Sequence, residues 1–216
     1  MLRIVVVGLL LISSSAFSAT FSGVVEGKKG EPIADAIVSL MPANRDHLPA
    51  TGSIIPDAKM DQIDKQYVPY DLPVRLGTQV RFPNKDNIKH HVYSFSPAKR
   101  FELKLYAGVN AKPIMFDKAG VVALGCNIHD WMLGYIYVLE TPFFAKTDKD
   151  GRLQINDLPN DHYVASVWHP RIRGKVKKHD QRISLQEVDA GSATFSIKLK
   201  RERRKRRTPD FEEEVY

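Results

Sequence analysis

Cys126, His129 and Met132 fall within the stretch "CNIHDWM", and Cys126 is the only cysteine among 216 residues. A thiol, an imidazole and a thioether at C-x2-H-x2-M spacing are three donors that one loop can turn toward a single point. A copper ion cycling between its two oxidation states suits such a set. The thiolate supplies soft, covalent electron density, imidazole suits the divalent state, and a thioether serves as a weak axial donor. A trigonal arrangement also needs a second imidazole from elsewhere in the chain. The stretch "FPNKDNIKHHVYSF" offers one, with His90 and His91 adjacent. Zinc accepts similar ligands. The alternatives for a lone cysteine are a buried inert thiol or a disulfide to another chain. Met60, Met115, His47, His162, His169 and His179 show no ligand spacing and are expected at surface or satisfied core positions.

The elements that must position these donors are β-strands. Helical periodicity is scarce, and short alternating runs such as "VRLGTQVRF", "HVYSF", "RFELKLY" and "GYIYVLE" are separated by Gly, Pro, Asn and Asp clusters. Asp150-Gly151 is a turn signal that feeds directly into a strand. The fold class expected is therefore all-β. Residues 1–18 carry a single Arg3, an apolar run from Ile4 to Ile12, and small residues with Ala16 and Ser18 at a small-x-small step. This predicts a secretory signal peptide, too short in its apolar run to span a bilayer, and a periplasmic protein. Export places the lone thiol where cysteines normally pair. The net charge of +7 favours acidic partners or membrane surfaces, and nucleic acid is not expected outside the cell. The final stretch, 201–216, holds six basic and five acidic residues and is expected to be disordered, with electrostatic surface contact as its available role.

Two distant segments, Thr20–Pro42 and Lys146–Pro170, together resemble the carboxypeptidase regulatory-like, transthyretin-like β-sandwich. Ala36, Val38 and Leu40 fit its A-x-V-x-L strand. Thr147, Asp148, Gly151, Asp157, Leu158, Pro159 and Tyr163 match its second pattern, while Asp161-His162 departs from the usual Gly. The segment between them resembles the cupredoxin fold, with amicyanin as the nearest analogue in loop length. Asn84 to His90 matches its N-x5-H segment, and "GVVALGCNIHDWM" matches its ligand loop. The chain also resembles bacterial proteins labelled methylamine-utilisation or plastocyanin-like. The resemblance implies a Greek-key sandwich over 58–141, inserted into a discontinuous sandwich of 19–45 plus 143–200.

It also implies one copper ion held by His90, Cys126, His129 and Met132. His91 stands where that family usually has Asn, a side chain that braces the two ligand loops. Bracing would then pass to His91 with Asn127, or to Asn84. Neighbours on a strand point to opposite faces, so only one of His90 and His91 can enter the site, and family register favours His90. Trp131, between two ligands, is expected to shield the metal, form a docking patch, or pack in the core. The function implied is periplasmic, non-enzymatic transfer of single electrons between redox partner proteins at a type 1 (blue) copper centre. Copper delivery or storage is the alternative, as is an envelope-interaction module with a structural copper site.

Overall fold

The computed structural model describes residues 19–48, 57–108, 112–186 and 191–201. The expected signal peptide and residues 202–216 of the expected tail lie outside them. Every extended element among the described residues is a β-strand, joined by turns and two short 3-10 segments, so the all-β expectation holds.

Two sheets enclose the first core. One has the strand order Arg152–Leu158, Ala19–Glu26, Gly191–Ser196; the other runs Phe144–Lys146, Ile37–Pro42, Asp161–Trp168, Gln181–Leu185. Their inward residues, among them Phe21, Leu40, Leu158, Tyr163 and Phe195, are almost wholly removed from water. This core draws on chain positions from 19 to 40 and from 153 to 197, leaving the intervening chain to a core of its own. Gly151 makes the turn into the Arg152–Leu158 strand at φ +72°, and a Cβ there would sit 2.5 Å from the Val25 carbonyl oxygen. Only glycine fits that combination.

The second core lies under a five-stranded sheet, ordered Asp71–Arg75, Leu133–Leu139, Gly120–Cys126, His90–Ser96, Lys99–Tyr106. A small sheet of Ile114–Met115, Gln79–Arg81 and Ala58–Lys59 adds Val80 to the same core. The stretch "VRLGTQVRF", expected as one strand, is two. Gly77 at φ +90° breaks it, sending Asp71–Arg75 to the large sheet and Gln79–Arg81 to the small one.

A third cluster joins the two cores. Trp168 packs against Tyr137 with ring centroids 4.9 Å apart, alongside Ile37 and Leu139. Beside it Lys146 Nζ reaches Asp35 Oδ1 at 2.9 Å and the buried Asp71 Oδ2 at 3.1 Å. His169 is also buried, and its Nδ1 accepts from the Arg171 backbone N–H at 3.0 Å.

Burial, reinforced by the Arg171 charge, pushes the His169 pKa down from 6.5 to about 4. In the unfolded chain the same imidazole takes a proton near its ordinary value. As pH falls below that value the unfolded state binds a proton the folded state refuses, so stability falls with pH until about 4 and then levels. His169→Asn keeps an acceptor for Arg171 but cannot titrate. Denaturant midpoints of the two proteins, measured from pH 7 to 4, should converge as the pH falls. Parallel curves would show that His169 is protonated freely in the fold.

Candidate metal centre

Strand alternation brings the first two donors together. Along Gly120–Cys126, Val122, Leu124 and Cys126 turn into the core, while Ala123 and Gly125 face outward. Along His90–Ser96, His90, Val92 and Ser94 turn inward. The strands pair with Cys126 opposite Val92, so His90 stands two residues along, on the same face as the thiol. The loop after Cys126 then folds back, with the Met132 N–H donating to the His129 carbonyl at 2.9 Å, and His129 closes on the same point.

The donor atoms of His90, Cys126 and His129 lie within 4.8 Å of one another, and all three residues are buried. Cys126 Sγ is 3.8 Å from His90 Nδ1 and 3.6 Å from His129 Nδ1. Metal–sulfur bonds of about 2.3 Å and metal–imidazole bonds of about 2.0 Å, at angles between tetrahedral and trigonal, require S···N separations of about 3.5–3.8 Å. The observed distances match that requirement. One soft and two borderline donors make the cluster consistent with one copper ion. Met132 is buried in the same core as Cys126.

The charge states suit ligation too. Burial lowers the His129 pKa, helped by His90 and Lys65 and opposed by Asp86, so its imidazole is neutral and carries a free lone pair at neutral pH. His90 Nε2 lies 2.7 Å from Asp86 Oδ2, a contact that puts the ring proton on Nε2 and leaves Nδ1 facing the thiol. Asp86 has its own anchors. Burial raises its pKa, but the Lys65 N–H, the His90 ring and the Asp64 N–H outweigh this and hold the carboxyl below its ordinary value.

The other sequence-predicted residues fall in different places. Asn84 is buried and ties the His90 loop together: Nδ2 donates to the Ile88 and Tyr106 carbonyls, each at 2.8 Å, and Oδ1 accepts from the Asp86 N–H at 3.0 Å. His91 points to the outer face, where its Nε2 is 2.9 Å from Glu102 Oε1 and its ring lies 5.8 Å from that of Tyr93. Asn127 is exposed. Trp131 stands edge-on to His129 at 5.2 Å and is 36% exposed, and Ile128 and Leu133 are exposed as well. His47 pairs with Asp161 far from this cluster in sequence.

Sequence reasoning missed Asp86, Tyr67 and two glycines. The Tyr67 hydroxyl donates to the Gly125 carbonyl at 2.9 Å. A Cβ on Gly125 would meet Tyr93 Cζ at 2.7 Å, and one on Gly134 would meet Tyr67 Cβ at 2.8 Å. Each glycine lets an aromatic ring lie directly on the strand that leaves or re-enters the ligand loop. The glycines were visible in the sequence as strand glycines; their partners were not.

No family model matches this chain, and no curated protein does. Among solved structures it is similar to a Cu-containing nitrite reductase from Thermus scotoductus SA-01, at 22% identity and a TM-score of 0.38, over 46% of this chain and 27% of that one. It is similar to an oxidized amicyanin variant at 18% identity and a TM-score of 0.36, over 47% of this chain and 99% of that one. A purple cupredoxin from Nitrosopumilus maritimus aligns at 24% identity and a TM-score of 0.32, over 38% of this chain and all of that one, 100%. These matches cover about half of the chain or less.

Comparing the two adjacent histidines tests this geometry. His90→Ala should weaken Cu(II) or Zn(II) retention by more than about 100-fold, beyond the usual effect of losing an outer contact. His91→Ala should hold metal as the parent does. Metal titration against a chelator reads both, and a larger loss from His91→Ala would reverse the assignment.

Proposed function

We propose that this protein is a periplasmic type 1 copper protein that carries single electrons between redox partner proteins. The observation that carries the reading is the pair of S···N separations, 3.6 and 3.8 Å, around a buried thiol that no other cysteine in the chain can engage. In this reading His90, Cys126, His129 and Met132 are the ligands and Asn84 braces the first loop. The 58–141 cupredoxin domain interrupts a carboxypeptidase regulatory-like sandwich of 19–45 plus 143–200.

A bound copper ion supplies a one-electron couple. The residues around it do the rest. Cys126 would contribute the covalent thiolate, and both imidazoles turn a ring nitrogen toward it. Burial of all three excludes water, which limits rearrangement of the surroundings when charge changes. A complete four-donor set leaves no open position for a substrate, so we assign no enzymatic step. Burial of every donor also favours a resident ion over one handed on as cargo. Partners would approach at His129, whose ring touches the part-exposed Trp131, with Ile128 and Leu133 nearby in sequence also exposed.

Visible and EPR spectra of the Cu(II)-loaded protein test the reading directly. A strong thiolate–copper band with narrow hyperfine splitting is expected, and Cys126→Ser should abolish the band. Normal splitting with weak absorption would remove the type 1 assignment. Met132→Leu should retain copper and raise the reduction potential, because loss of the axial thioether weakens donation to the divalent state. An unmoved potential would exclude Met132 as a ligand.

A further inference from the structure

Short strands Asp61–Ile63 and Gln66–Val68 form a two-stranded hairpin at one side of the candidate metal centre. It pairs Ile63 with Gln66, leaving a two-residue loop of Asp64 and Lys65 at φ +51° and +56°. Such turns favour Asn-Gly, because a side chain at positive φ crowds its own backbone. Two such residues persist together only where the surroundings fix the turn. Here the turn aims both of its backbone N–H groups at one side chain. Asp64 N donates to Asp86 Oδ1 at 2.7 Å and Lys65 N to Asp86 Oδ2 at 2.9 Å; the same Oδ2 holds His90 Nε2.

The hairpin also reaches the other half of the site. Tyr67, buried at 2% exposure, bonds the Gly125 carbonyl next to Cys126 and lies against Gly134, two residues after Met132. Its base is fixed to the His90 loop by the Gln62 N–H to the Pro83 carbonyl and the Lys85 N–H to the Gln62 carbonyl, each 2.9 Å. Lys85 Nζ and Asp61 Oδ2, 2.7 Å apart, close the contact. One small hairpin therefore touches the segments that carry every proposed ligand.

We infer that the Asp61–Val68 hairpin is the positioning element of the metal centre: its turn orients His90 through Asp86, and Tyr67 holds the strand that carries Cys126. The inference rests on the ligand set proposed above, but not on copper as the ion. Asp86 and the turn act through His90 and touch no metal themselves. The hairpin works before metal arrives, since each contact is between protein groups.

The test uses Zn(II) transfer from the full-length protein to a chelator, together with nitrogen NMR of the metal-free protein to read the His90 tautomer. Asp86→Ala and Lys65→Pro should each speed release about 10- to 100-fold, the usual range for outer contacts. Proline cannot adopt the positive φ and has no N–H to donate. Lys65→Gly keeps the turn and should stay within about twofold of the parent, since glycine adopts positive φ without strain. The double variant Asp86→Ala/Lys65→Pro should release no faster than the worse single variant, because both break one chain of contacts. The metal-free parent and Lys65→Gly should show the Nε2–H tautomer at His90, and Asp86→Ala a mixture.

Multiplying effects in the double variant, or an unmixed tautomer in Asp86→Ala, would overturn the inference. The tautomer measurement decides even where Lys65→Pro fails to fold. Copper spectra that fail while these readouts succeed would reject the proposed electron-transfer centre and leave the hairpin's role standing.

Discussion

Three donor atoms must stay turned toward one another inside a dry core, and the rest of this structure answers to that constraint. A buried imidazole that takes a proton, or rotates its lone pair toward apolar neighbours, loses its capacity to ligate. The fold works against the first at His129 and against the second at His90. Antiparallel pairing of His90–Ser96 with Gly120–Cys126 fixes which side chains face inward. Burial holds the His129 pKa down, and Asp86 holds the His90 proton on the far nitrogen. Contacts between protein groups thus help to orient the donors.

This arrangement was legible in the sequence to different depths. The Cys126–His129–Met132 spacing is local, so one loop suffices to predict that its donors converge. Strand alternation allowed only one of His90 and His91 to face the site, and it was the family resemblance, not the period-2 pattern, that favoured His90. Asp86 was not legible. It is one acidic residue in a polar loop, and its role exists only because a hairpin some twenty residues upstream presents two N–H groups to it. Tyr67 was hidden for the same reason: nothing near it in sequence marks the Gly125 carbonyl as its partner. Gly77 shows the opposite failure, a signal present in the sequence but outweighed by the apolar alternation on either side of it.

The joint between the two cores sets a further limit on how the centre is used. Trp168, Tyr135 and Tyr137 cover part of the outer face of the sheet that carries Cys126, with Lys146 bridging Asp35 and Asp71 at its margin. The half-buried Lys146 and the buried Asp71 lose hydration when the contact forms, so it contributes more to fixing the relative placement of the sheets than to net stability. Through this joint the first core braces the strands Gly120–Cys126 and Leu133–Leu139, which flank the ligand loop. Tyr67 braces the same two strands from the hairpin. The loop from Asn127 to Met132 is therefore anchored at both ends even though its tip is at the surface.

That anchoring answers why the chain carries a single thiol. A cysteine able to act as a thiolate donor is also open to oxidation and exchange wherever solvent reaches it. Cys126 is 3% exposed, screened by the two imidazoles on one side and by its strand neighbours on the other. Access to the centre is left to His129, whose ring touches the half-exposed Trp131. In the proposed reading the two roles are separated: the thiol that would bind metal is kept from solvent, and the donor proposed to face a partner is the one less easily oxidised. A second cysteine nearby would offer a disulfide as a competing fate for the first. Its absence follows from the same constraint that orders the site.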